Sequence, residues 1–179
     1  QSRRLRRDQQ AARHHRVGVT AGIIPAMGRA WLIKNEPDCY SFDDLLRDGK
    51  APWDGVRNYQ ARNYMRDEMR PGDPVLYYHS STAQPAVVGL AEVASEPYPD
   101  PTQFDPNSEY YDPKATPEQP RWHLVEFRAV RALPRAVTLA EMKQDPALEG
   151  MRLLQRGNRL SVMPVEPEHL ARVLELAGA

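Results

Sequence analysis

Cysteine is nearly absent from the chain: Cys39 stands alone among 179 residues. No disulfide can form within it, and the usage fits a reducing compartment. No apolar run approaches the ~20 residues needed by a membrane-spanning helix, so the expectation is a soluble, cytoplasmic protein without a membrane partner. Enzyme signatures are missing as well. The chain contains no G-x-S-x-G, no Walker A loop, no G-x-G-x-x-G and no H-E-x-x-H, and one cysteine cannot build a zinc deaminase site. Asp105, Asn107 and Glu109 have the spacing that opens an EF-hand loop. Tyr110 then stands where glycine is required and Thr116 where the closing acid belongs, which argues against calcium. His79, His123 and His169 are too scattered to suggest a metal site. We therefore expect no metal, no cofactor and no catalytic residue, and a protein that binds a ligand rather than transforms one.

A positive charge balance is also lacking. Lys plus Arg and Asp plus Glu both total 24. Residues 1–26 hold six arginines (Arg3, Arg4, Arg6, Arg7, Arg13, Arg16) against Asp8, leaving 18 basic and 23 acidic residues in 27–179. Proteins that hold nucleic acid mainly by neutralising phosphates are basic overall. Any nucleic-acid binding by this acidic body must rest on a pocket and a few local arginines. The Arg-rich start has the composition of a transit peptide or a basic arm. We read it instead as a poorly ordered leader or upstream extension, with the domain running from Met27 to Ala179.

The body is a mixture of short strands and helices. Ala30–Asn35 reads as a strand ended by Glu36-Pro37. Ser41 caps a helix with acids in its first turn, Leu45 and Leu46 inward and Gly49 at its end. Asn58 to Met69 has helical spacing, with Ala61, Met65 and Met69 on one face and Arg62, Arg66 and Arg70 on another. Strands are expected over Pro74–Ser80, Ala86–Ala94, Trp122–Ala132 and Leu160–Val165. Short helices are expected from Thr138 to Lys143 and from Pro146 to Gln155, and a terminal one over Glu166–Leu176. Ser95–Gln119 has too many prolines for regular structure, yet its aromatics favour a loop packed back on the body. Strands interspersed with helices, without βαβ alternation, define an α+β class with a curved sheet or small barrel.

One segment concentrates chemistry: Trp53-Asp54-Gly55-Val56-Arg57-Asn58-Tyr59-Gln60-Ala61-Arg62-Asn63. A flat π face beside amide and carboxylate groups suits a planar heterocycle, stacked on the ring and read along its edge. Read from the residues alone, Trp53 serves equally well as a core residue beneath a loop. Lys34 and Asn35, and His79 and Ser80, close two strands; they suit a barrel mouth, or simply a solvated lysine, a turn and a structural imidazole. Tyr110 and Tyr111 wall a pocket or anchor the long loop. Arg57, Arg62 and Arg66 are taken as phosphate contacts, although such a stripe also marks a solvated helix face. Arg152, Arg156 and Arg159 form a second candidate set.

Taken in order, Trp31-Leu32-Ile33-Lys34-Asn35-Glu36-Pro37, Trp53 to Asn63, Tyr77-Tyr78-His79-Ser80, Tyr110-Tyr111-Asp112-Pro113 and Arg159-Leu160-Ser161-Val162-Met163-Pro164-Val165 resemble the EVE domain family. The resemblance spans 28–178. It implies a PUA-like fold, a small β-barrel of about five to six strands flanked by helices, akin to the YTH and SRA-type readers of modified bases. It further implies a barrel-mouth pocket for one extruded base. Trp53 and Trp122 would be cage aromatics, Lys34 and Asn35 the strand-end polar pair, and Asn58, Tyr59, His79 and Ser80 lining or supporting groups. Asn35 departs from the family's usual Lys-Ser pair, and no third cage wall is identifiable. The expectation is a monomeric module that recognises a modified nucleobase in DNA or RNA. The alternatives are an enzyme acting on a modified nucleotide with Asp54 or His79 as acid or base, and a pocket for a peptide or small molecule.

Overall fold

The computed structural model describes residues 29–179; the expected leader and Met27 lie outside the described residues. The first strand, β1 (Ala30–Asn35), buries its first four side chains in succession. That unbroken burial fits an interior strand covered on both faces, and β1 pairs in parallel with β3 (Pro74–His79) and antiparallel with β8 (Val162–Val165). The whole sheet has the order β2-β7-β4-β3-β1-β8, with β2 at Lys50–Pro52, β4 at Ala86–Val93 and β7 at Glu126–Thr138. Its end strands β2 and β8 do not pair with each other, so the expected small barrel is a curled half-barrel, open at one side.

Helix α1 (Phe42–Asp48) starts as its sequence dictates. Ser41 Oγ accepts from Asp44 N–H at 3.0 Å and the Asp44 carboxylate accepts from Ser41 N–H at 2.9 Å, a reciprocal capping box. Phe42 and Leu45 face the core, but Leu46 is exposed, against expectation. With ~100° per residue, a seven-residue helix that buries positions three apart turns the next residue outward. Phe42 lies so close over Gly89 of β4 that a Cβ there would come within 2.4 Å of its ring. Gly89→Ala is expected to destabilise the fold by about 1–3 kcal/mol through overpacking, read as a lower midpoint in urea; an unchanged midpoint would show that the ring has room to move.

Helix α2 (Tyr59–Asn63) widens into a π-turn over Tyr64–Glu68, where Met69 N–H reaches back to Tyr64 C=O at 2.9 Å. Ala61, Met65 and Met69 are all fully buried, as their spacing predicts. Strand β7 runs six residues past the expected end and contains Pro134. Its register against β4 slips between Gly89↔Ala132 and Val87↔Val137, and such a bulge is where a sheet tolerates proline. The helix expected over Pro146–Gln155 is two 3₁₀ turns, Pro146–Leu148 and Arg152–Leu154, interrupted at Gly150 with φ +84°. Helices α3 (Leu139–Gln144) and α4 (Pro167–Leu176) complete the layer on the sheet, the latter burying Leu170 and Val173.

The proline-rich stretch packs back on the body through polar groups more than through its tyrosines. Strands β5 (Tyr98–Pro99) and β6 (His123–Leu124) pair across its base. Gln103, fully buried, donates to Asp100 C=O and Trp122 C=O, both at 2.7 Å, and accepts from Arg121 and Trp122 N–H. A buried amide so satisfied is a strong clamp. Tyr110 and Tyr111 stay partly exposed, at 37% and 42%.

Candidate functional site

A cavity of about 770 Å³ opens at the end of the sheet where β1 stops. Lys34 and Asn35 come from that strand end, Cys39 and Tyr40 from the turn before α1, Asp48 from the end of α1, and Lys50 to Pro52 from β2. Trp53 to Asn58 form the loop beyond β2, and Tyr110 and Ser161 complete the wall. The size falls in the range of ligand pockets, about 300–1,000 Å³. Trp53 is only 7% exposed, yet it borders the cavity. Tyr40, Tyr77 and Phe127 meet its indole edge to face at centroid distances of 6.2, 5.8 and 5.4 Å. Both readings of this residue therefore hold together: the indole is packed in the core and also forms wall.

The polar groups around the cavity retain hydrogen-bonding capacity. The Lys34 ammonium lies 5.9 Å from the Tyr78 ring centroid, and burial lowers its pKa. It has no hydrogen-bond or ion-pair partner among the described residues. Asn35 Oδ1 accepts from Glu36 N–H at 2.9 Å and Asn58 Oδ1 caps α2 through Ala61 N–H at 2.9 Å, which leaves both amide NH₂ groups as donors. Asp54 supplies an acceptor. Its carboxyl is raised by burial first and by the neighbouring Asp100 charge second. Donors and an acceptor on one cavity wall match a heterocycle edge that carries both carbonyl and amino groups.

The loop that carries Trp53 is held from 45 residues away in sequence. Asp100, 1% exposed, accepts from Gly55 N–H at 2.8 Å, Arg57 Nη1 at 3.0 Å, Thr102 N–H at 2.8 Å and Thr102 Oγ1 at 2.6 Å. Gly55 has φ +79°, and a Cβ there would come within 2.7 Å of the Tyr110 ring; only glycine lets that ring close over the turn. Arg57 also donates to Thr102 Oγ1 and Tyr110 C=O. Its guanidinium, expected at a phosphate, is occupied in tying the two loops together.

Lys34, Asn35, Trp53 and Asn58 thus come together at the cavity, whereas Tyr59, His79, Ser80 and Trp122 do not line it. Trp122, expected as a second cage wall, stacks instead on Tyr59 at 4.8 Å and donates to Asp112 at 2.8 Å. The long loop that leads into β6 sets its buried indole against Arg57, whose Cζ lies 5.2 Å from the ring centroid. His79 Nε2 accepts the Phe42 N–H at 3.0 Å, which places it under α1 as a structural acceptor, and burial lowers its pKa. Ser80 N–H donates to Asn35 C=O, so it supports the strand end. Arg62 lies over the Tyr59 ring at 4.7 Å and donates to Arg121 C=O; Arg66 pairs with Asp67. Tyr40 and Ser161 entered the wall unannounced. The cue for Tyr40 was its place just after the β1 break; Ser161 is brought there by β1–β8 pairing, where its C=O accepts from Lys34 N–H at 2.9 Å.

A curled mixed half-barrel with a pocket at the end of its sheet defines a PUA-like domain. In fold it is similar to the YTH domain of Zygosaccharomyces rouxii MRB1, solved with N6-methyladenosine RNA (15% identity, TM-score 0.51, 87% of this chain and 90% of that one). The EVE domain model matches residues 29–176, and the chain belongs to that family. Human thymocyte nuclear protein 1 is 35% identical over 180 residues, which is 90% of this chain and 79% of the human one. A Pseudomonas syringae protein of known structure is 47% identical, with a TM-score of 0.78 over 83% of this chain and 99% of its own. Human THYN1 protein in complex with 5-methylcytosine-containing DNA is 36% identical, with a TM-score of 0.79 over 85% and 99%. Among the described residues no helix is long and apolar enough to cross a membrane.

Proposed function

We propose that the protein is a binding module that takes one modified nucleobase, extruded from a nucleic acid, into the cavity beside Trp53. The observation that carries this reading is the cavity itself: an indole on its wall, ringed by Lys34, Asn35 and Asn58 as donors and Asp54 as acceptor, all without a competing ion pair. The relative bound to 5-methylcytosine-containing DNA supports it and makes methylated cytosine the first base to try. Extrusion costs a few kcal/mol, and stacking with edge hydrogen bonds offsets it. The wall is complete within one chain, so the proposal takes the working form as a monomer, and the lone Cys39 suits a reducing cytoplasm.

Matched oligonucleotides, identical except for one 5-methylcytosine, 5-hydroxymethylcytosine or cytosine, test the proposal by calorimetric titration. Tighter binding of one modified form by about tenfold, roughly 1.4 kcal/mol, is expected. Equal affinity across the series, extended to methylated adenine in RNA, removes the reading.

A further inference from the structure

A second concavity, about 380 Å³, adjoins the first. Asn58 lines both, and the chain passes from one to the other between Leu160 and Ser161. Its wall carries Arg152, Arg156 and Arg159 and no acidic residue. This is a local reversal of charge, because the body as a whole has 18 basic and 23 acidic residues. The three guanidiniums also differ from the other arginines around the site. Arg57 is bound to Asp100, Arg62 lies on Tyr59 and Arg66 pairs with Asp67. Arg152, Arg156 and Arg159 make no side-chain hydrogen bond and no ion pair among the described residues.

The turn that presents them is built, not loose. Asn158 Nδ2 donates to Arg152 C=O at 3.0 Å and its Oδ1 accepts from Leu160 N–H at 3.2 Å. Gly157 takes φ +80° to let the chain reverse. Unpaired arginines gathered on one turn around an acid-free hollow are what a phosphate oxyanion needs, and like-charge repulsion among them is relieved when an anion enters.

We infer that this hollow binds the phosphate ester attached to the nucleotide whose base occupies the cavity. The inference rests on the base-binding reading and assigns the phosphate contacts to Arg152, Arg156 and Arg159 rather than to Arg57, Arg62 and Arg66. The phosphate can belong to a polymer backbone or to a mononucleotide, and the two sources separate by experiment.

The probes are 5-methyl-2′-deoxycytidine, its 5′-monophosphate, and a short single-stranded oligonucleotide with one 5-methylcytosine, each alongside its unmethylated counterpart. They are titrated against the wild type, the triple variant Arg152→Gln, Arg156→Gln, Arg159→Gln, and Arg66→Gln as control. The nucleoside should bind wild type and triple variant alike, which also shows that the variant is folded. Oligonucleotide affinity should fall about tenfold or more in the triple variant, and the slope of log K against log salt should flatten by up to about 2, at ~0.7 per single-strand phosphate contact. Arg66→Gln should change neither. A matching loss for the monophosphate marks one phosphate at the hollow; a loss confined to the oligonucleotide marks the backbone. Wild-type affinity and slope for both phosphate-bearing probes in the triple variant overturns the inference and leaves the base cavity standing. Failure of the wild type to distinguish modified from unmodified probes overturns the base reading, and this inference with it.

Discussion

Asp100→Ala is expected to lower stability by about 3–5 kcal/mol, the cost of leaving a buried, hydrogen-bonded charge network without one partner. Its carboxylate is 1% exposed and receives four donors, from Gly55, Arg57 and both the N–H and hydroxyl of Thr102. Removing it takes the ion-pair partner from the Arg57 guanidinium, leaves two N–H groups unsatisfied, and holds the loop bearing Trp53 to the long loop only through the bonds from Arg57 to Thr102 Oγ1 and Tyr110 C=O. The pH dependence makes the prediction specific. Burial by itself pushes this carboxyl up, but the hydrogen bonds from Thr102, Gly55 and Arg57 outweigh it and hold the group below the usual carboxylate range. A depressed carboxyl contributes stability that is fully present above its unfolded value of about 3.9 and is lost as pH falls through the folded value. Wild type and Asp100→Asn should therefore differ most near neutral pH and converge as pH falls through the depressed folded value. Urea melts over that range check it. Equal midpoints at neutral pH would show that the loops are held by something else.

The second large effect is expected at Trp53. Trp53→Ala removes an indole packed against Tyr40, Tyr77 and Phe127 and should destabilise the fold by about 3–5 kcal/mol. A loss of binding in that variant alone would be ambiguous. Trp53→Phe keeps an aromatic in contact with the same neighbours but shortens the wall at the cavity. It should remain folded and bind the preferred modified oligonucleotide about tenfold more weakly, part of the ~1–3 kcal/mol that base stacking on an aromatic contributes. Discrimination between modified and unmodified base should shrink in parallel. A folded Trp53→Phe with undiminished affinity and discrimination would exclude the indole from the binding wall.

Local signals were legible where the energetics are local. The Ser41 capping box, the burial of Ala61, Met65 and Met69, and the β1 strand are set by neighbours within a few residues. The alternation along the sequence supports a strand only to Ala132, and the pairing of β7 with β4 reveals the bulge that carries it on past Pro134. Leu46 was misplaced because a short helix buries a narrow stripe that the sheet chooses.

What the sequence by itself determined is the α+β class, the order of the elements, the acidic body and the presence of a Trp-Asp-Gly-x-Arg-Asn segment suited to a planar ligand. Tertiary structure decided which groups are available to that ligand. Arg57, Arg62 and Arg66 and, later in the chain, Arg152, Arg156 and Arg159 both read in the sequence as arginine clusters, yet the first set is engaged by Asp100, Tyr59 and Asp67 and the second is not. Trp53 and Trp122 likewise differ only in what the fold brings beside them. Availability depends on partners tens of residues away, and periodicity along the chain carries information only about neighbours on one turn or one strand.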